Sequence, residues 1–251
     1  MMTHGKSSTD LVLVPCALAI MLGYHLFLLH RILRRPHTTV IGYENHNTAA
    51  WVRRMARAAS PEEAALALGV IADGISASTT LASLCLALPA LIGAWELTST
   101  SAAAMPSGGD TSQLTTATVK YASLLACFIA SFTCFVQSAG CYVHASFLMS
   151  AAALGSDSDS DDAPVVGHVQ RAVLRGGGFW AAGLRALYLA TALLVWVAFG
   201  PAPMLACSVL TVAVLHLLDT NSMPLHCHHQ FTPGGSATTA SPTVARSGES
   251  G

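Results

Sequence analysis

Charge is the scarcest commodity in this sequence. Asp, Glu, Lys and Arg make up 10% of its 251 residues while 53% are hydrophobic; an ordinary soluble domain carries about 25% charge. A soluble fold could not be given a charged skin from this composition, so the class it implies is integral membrane protein. Net charge is −1, which lacks the cationic excess that phosphate neutralisation needs and excludes nucleic acid as a partner. No two of the seven cysteines (Cys16, Cys85, Cys127, Cys134, Cys141, Cys207, Cys227) form a C-x-x-C pair, and six lie in apolar runs. They read as small packable residues rather than a disulfide framework. There is no Gly-rich phosphate loop, no Ser-His-Asp order and no pair of carboxylates set for acid–base work. "RGGGF", Arg175 to Phe179, lacks the phosphate-loop lysine and reads as a flexible hinge. No catalytic residue, cofactor or metal ligand is therefore named, and the chain is not read as an enzyme. His25 and His30 are five apart, a poor angle for sharing a ligand, and His25, His144 and His216 form no pair by spacing. "HCHHQ", His226 to Gln230, lies in the polar tail and reads as an adventitious metal binder.

What the sequence has is long apolar runs. Leu11 to Leu29 is long enough to cross a bilayer, and without a convincing cleavage site after it we read a retained span rather than a signal peptide. A second helix is expected from about Pro61 to Trp95, opened by Ser60-Pro61-Glu62-Glu63: a Ser cap, Pro at the first position, acids near the positive end. A Ser/Thr/Gly linker covers Leu97 to Gln113, and a third helix runs from about Thr118 to Leu154. "GSDSDSDDAP" is a solvated acidic loop; Ser156 and Ser158 have the acidic context of a phosphorylation site. The last apolar stretch, Phe179 to Leu218, is broken by "FGPAP". The fold expected is an all-α membrane bundle of four long helices, with spans at about 11–30, 75–95, 120–140 and 199–218. A short outside N-terminus (1–10) precedes it, and a disordered polar tail (219–251) follows it. The alternative is five spans, with Gly200-Pro201 as a turn between two short ones.

"HRILRRPHTTVIGYENHNTAAWVRRM", which follows the first apolar run, carries Arg31, Arg34, Arg35, Arg53 and Arg54; Arg57 lies just beyond. These are six of the twelve Lys and Arg residues. The next interhelical loop has none until Lys120. Positive residues stay on the cytoplasmic side, so the collar places the N-terminus outside and itself inside. The same arginines are candidates for contacts with anionic lipid head groups. Some 35 residues of helix make roughly 50 Å, against an apolar core of about 30 Å. The second and third helices therefore project into the cytoplasm, and their extensions should pack on each other.

Polar residues also recur within the apolar helices. Asp73, Ser76, Thr80 and Ser83 share one face of the second helix; Thr133, Cys134, Gln137, Cys141 and His144 share one face of the third. The plainer reading is helix-to-helix glue. The functional one is a solute or proton path lined by Asp73, Ser76, Thr80, Gln137 and His144.

The N-terminal motif Tyr24-His25, Pro36-His37-Thr38-Thr39-Val40-Ile41-Gly42 and Trp51 resembles the opening of the membrane proteins grouped as domain of unknown function 599. "GLRALYLATALLVWVAFGP" resembles that family's closing helix at Arg185, Tyr188, Trp196, Gly200 and Pro201. The resemblance covers residues 10–220 and is nearest to plant members. It implies a multi-pass membrane protein and carries over no reaction or substrate. The expected function is that of a structural or interaction protein, with protein partners or further copies of itself. A small-solute or proton-coupled transporter or channel is the alternative, and a membrane redox protein ranks third. With no retention signal read, the plasma membrane is the expected location.

Overall fold

The computed structural model describes residues 3–34, 39–56, 60–103, 111–154 and 162–219. They form six helices: α1 Thr3–Arg34, α2 Val40–Met55, α3 Pro61–Ala103, α4 Thr111–Leu154, α5 Asp162–Phe199 and α6 Pro201–Asp219. Every described element is helical, as the composition implies. The start of α3 is the expected one: the Ser60 hydroxyl accepts from the Glu63 amide at 3.2 Å, with Pro61 at the first position. One helix was not foreseen. The basic collar, read as a loop, folds from Val40 as α2, because Thr39 is extended and its Oγ1 accepts the Gly42 amide at 3.2 Å. That cap satisfies one of the donors a helix start leaves open.

The three long helices α3, α4 and α5 run antiparallel, with α4 in the middle. Along the α4–α5 seam the contacts repeat every seven residues. Ser131 Oγ donates to the Gly183 carbonyl at 3.1 Å, and Ser138 Oγ donates to the Gly176 carbonyl at 2.8 Å. Seven residues are two turns, so both pairs lie on one stripe. The rings fit the same register. A methyl at Gly183 would stand 2.9 Å from Phe135, and one at Gly176 3.0 Å from Tyr142. The "RGGGF" segment is thus no hinge: it lies inside α5, and its first glycine is a notch for a ring of α4.

Two apolar cores stack along these helices. The first joins α1 and α6 to α3–α5 through Val14, Ala17, Phe128, Phe135, Leu193 and Met204. The second lies around the first halves of α3 and α5, the end of α4, and α2, through Val52, Ile71, Ala145, Met149 and Val169. This second core is the packing expected of the helix extensions, completed by α2.

The last apolar stretch folds back on itself. Gly200, at φ 97°, is the only residue between α5 and α6. Its amide still donates to the Trp196 carbonyl at 3.1 Å, closing α5, and Pro201 opens α6. Arg185 and Asp219, 34 positions apart, are then in contact. Among the described residues five helices are long and apolar enough to cross a membrane: Val12–Ile32, Pro61–Trp95, Thr116–Ala151, Val165–Phe199 and Pro201–Asp219. They fit a multi-pass membrane protein, and their number matches the five-span alternative rather than the preferred four. Glycine makes the difference, because a positive φ is cheap only there.

Candidate functional site

On α1 the buried positions Val14, Ala17, Met21, Tyr24 and Leu28 recur at steps of three and four, which is one helix face. That face carries the Tyr24 phenol to the end of α6, where its hydroxyl donates to Asp219 Oδ2 at 2.8 Å. From α5, Arg185 reaches the same carboxylate. Its Nη2 is 3.2 Å from Oδ1 and its Nη1 3.3 Å from Oδ2. The two side chains are only 19% and 14% exposed. A carboxylate at the C-terminal end of a helix opposes the helix dipole, so the arginine and the phenol hold Asp219 against its own helix. His216, one turn earlier, sets its ring edge-on to Tyr24, centroids 6.3 Å apart. His25 follows Tyr24, and its two ring nitrogens are buried without a hydrogen-bond partner among the described residues.

This cluster ties α1, α5 and α6 together through groups that lie within apolar helices of spanning length. Charged groups in such helices are rare and mark either a structural lock or a path for ions or protons. The Arg185–Asp219 contact is two-pronged and neutralised, the geometry in which a buried pair can recover its desolvation cost. Tyr24, His25 and Arg185 are among the motif residues singled out in the sequence. Asp219 is not: it reads there as the first residue of a tail. The available signal was an acid closing an apolar run that follows a helix with an arginine in it.

The remaining motif residues have structural positions. Thr39 and Gly42 make the α2 cap. Trp196 lies under Lys120 of α4, whose ammonium is 5.0 Å from the ring. The Tyr188 carbonyl accepts from Thr191 Oγ1 at 2.7 Å. Gly200 and Pro201 make the turn. Arg31 and Arg34 fall in the last turn of α1, Arg53 and Arg54 in that of α2, where cations suit the helix dipole. Arg35, Arg57, Pro36, Thr38, residues 155–161 of the acidic loop and the "HCHHQ" tail lie outside the described residues, while the loop's last three residues open α5.

The polar stripes face outward. Asp73, Ser76, Thr80, Gln137 and His144 are all exposed. On α3 the buried residues Ile71, Ser78 and Ala82 each stand two positions, or roughly 200° of helix, from Asp73, Ser76 or Thr80. The structure does not bring these residues into one internal path. What meets across the α3–α4 seam is Ser78 and Ser138, 3.3 Å apart. Thr80 Oγ1 is satisfied within its own helix by the Ser76 carbonyl at 2.8 Å. Among the described residues no group of three or more His, Cys, Asp or Glu is placed to hold a metal ion.

A second feature lies beside the second core. A cavity of about 420 Å³ opens between α2 and the long helices. Asn47, Thr48 and Trp51 line it from α2; Val70, Ile71 and Gly74 from α3; Tyr142 and Val173 complete it. A methyl at Gly74 would meet the Tyr142 ring at 3.3 Å, so this ring is held between glycines of α3 and α5.

A family model described as "Protein of unknown function, DUF599" matches residues 12–224. No curated protein matches, and no solved structure does.

Proposed function

We propose, from the premise that the chain belongs to the DUF599 family of proteins of unknown function, that it is a non-catalytic interaction protein of the plasma membrane. Its spans would present a helical surface to other membrane proteins. The collar sets the N-terminus outside, and five spans then put the tail inside. The observation that carries this reading is the outward face of α3, where Asp73, Ser76 and Thr80 are exposed. Thr80 bonds back to its own helix, but lipid gives the exposed amide of Gln137 on the neighbouring α4 no partner, so this polar face is expected to meet another helix. The test is a photo-crosslinking residue placed at Ser76 or Gln137, with Leu210, a 65% exposed apolar residue of α6, as control. Protein adducts from the first two sites and lipid adducts alone from the third are expected. Lipid adducts alone from all three would end the proposal.

A second reading, proton-coupled transport, draws on the Tyr24–Asp219–Arg185 cluster, because ionisable groups within spans line many transport paths. It predicts that Asp219→Asn, folded and reconstituted in liposomes, loses a proton flux that the parent protein shows with a pH-sensitive dye. A parent protein that passes no protons would remove it.

A further inference from the structure

The cavity between α2 and α3–α5 has a depth that can be read from the helices. The α1 and α6 helices run side by side in the same direction: Val14 and Ala17 share a core with Met204, and Tyr24 meets His216 and Asp219. Arg185 on α5 is therefore level with Tyr24 on α1. Val173, at the cavity, stands twelve residues from Arg185 towards the start of α5, or about 18 Å. The same distance along α1 from Tyr24 passes Ile32, where its apolar run ends. On the five-span reading, which this inference rests on, the cavity opens at the head-group level of the inner leaflet.

Its chemistry suits that level. Val70, Ile71 and Val173 give an apolar floor; Trp51 and Tyr142 are rings of the kind that settle at membrane interfaces; Asn47 and Thr48 add amide and hydroxyl. Asn47, Trp51 and Arg54 follow at four and three positions and share one face of α2, so the exposed guanidinium of Arg54 continues the polar side. Arg31 and Arg34 lie in the last turn of α1, and Arg53 in that of α2. The acids near the cavity are Asp73, adjacent to Gly74, and Glu44, one turn before Asn47. Arg54 gives the polar side a cation, and an acyl chain needs the apolar floor that a free phosphate would not use.

We propose that this cavity holds one anionic glycerophospholipid, its upper acyl chain against Val70 and Val173 and its phosphate towards Arg54. The test is native mass spectrometry of delipidated full-length protein titrated with phosphatidylglycerol and, separately, phosphatidylcholine. Expected is one retained phosphatidylglycerol, favoured by roughly tenfold, the scale of one charge-assisted contact. Val70→Trp should fill the cavity and abolish retention, and Arg54→Gln should erase the preference between lipids. Val70 is half exposed, so its substitution leaves the core intact. If that variant nonetheless fails to fold, quenching by brominated phosphatidylglycerol decides, since it should fall when Trp51→Phe is introduced. Equal retention of both lipids, retention by folded Val70→Trp, or quenching unchanged without Trp51 each overturns the proposal. A protease-accessible tag after Gly251 in sealed right-side-out vesicles separates the two readings: a protected tag with no lipid preference sinks the cavity proposal alone, whereas a tag cut from outside sinks the five-span reading beneath it.

Discussion

Removing either partner of the Arg185–Asp219 pair strands the other in a mostly buried site, which is costlier than removing both. Arg185→Met or Asp219→Leu alone should destabilise the fold by about 2–4 kcal/mol, and the double variant by clearly less than the sum. Unfolding midpoints in detergent, arranged as a double-mutant cycle, measure this. An additive result would mean that the two groups do not act on each other. Glycines offer a second contrast. Gly183 faces Phe135, while Gly178 has nothing within 4 Å of an added methyl. Gly183→Ala should cost about 1–3 kcal/mol by overpacking. Gly178→Ala should be neutral or stabilising by about 0.5–1 kcal/mol, because alanine favours the helix. Equal effects in thermal unfolding would show that the α4 rings are not seated as described. Nothing in the sequence separates these two glycines; only the ring across the seam does.

At the scale of the elements, Gly200 alone separates two helices that lie against each other. Its φ of 97° is one an L residue adopts at a cost of about 1–2 kcal/mol. Gly200→Ala should therefore lower the unfolding midpoint in detergent. A midpoint equal to that of the parent would argue against the turn. The signals for this turn were present in "FGPAP", yet the sequence alone favoured a kinked helix over a turn. Contact between the two arms separates them. The start of α3 was legible because its cap, proline and acids are local. The α2 helix was less so: its arginines drew the reading towards a loop, while its cap rests on Thr39, and its burial on Val52 against the second core.

At the scale of the molecule, the shared helices α3, α4 and α5 carry one core with α1 and α6 and another with α2. On the five-span reading the first belongs to the bilayer and the second to its inner surface. On that same reading, the positive collar and an odd number of spans would place the C-terminus on the same side as the collar. A protease-accessible tag after Gly251 should therefore be protected in sealed right-side-out vesicles and cut when the membrane is opened. Cleavage from outside would restore four spans and put the Arg185–Asp219 turn outside the membrane reading altogether.

The sequence by itself determined the class, the long apolar helices and the family. Each rests on composition, local capping or short motifs, which need no knowledge of what packs on what. Its scarcity of charge demanded apolar surroundings, and its long runs demanded helices, since only there are all backbone groups satisfied within one segment. The tertiary structure decided which way those helices turn. It set Asp73, Ser76 and Thr80 outward and Ser78 inward, turned the first glycine of the run into a notch, and joined Tyr24, Arg185 and Asp219 across 195 positions. Such outcomes depend on rotation and register between helices. Those are fixed by the side chains on both partners at once, so neither partner's sequence states them.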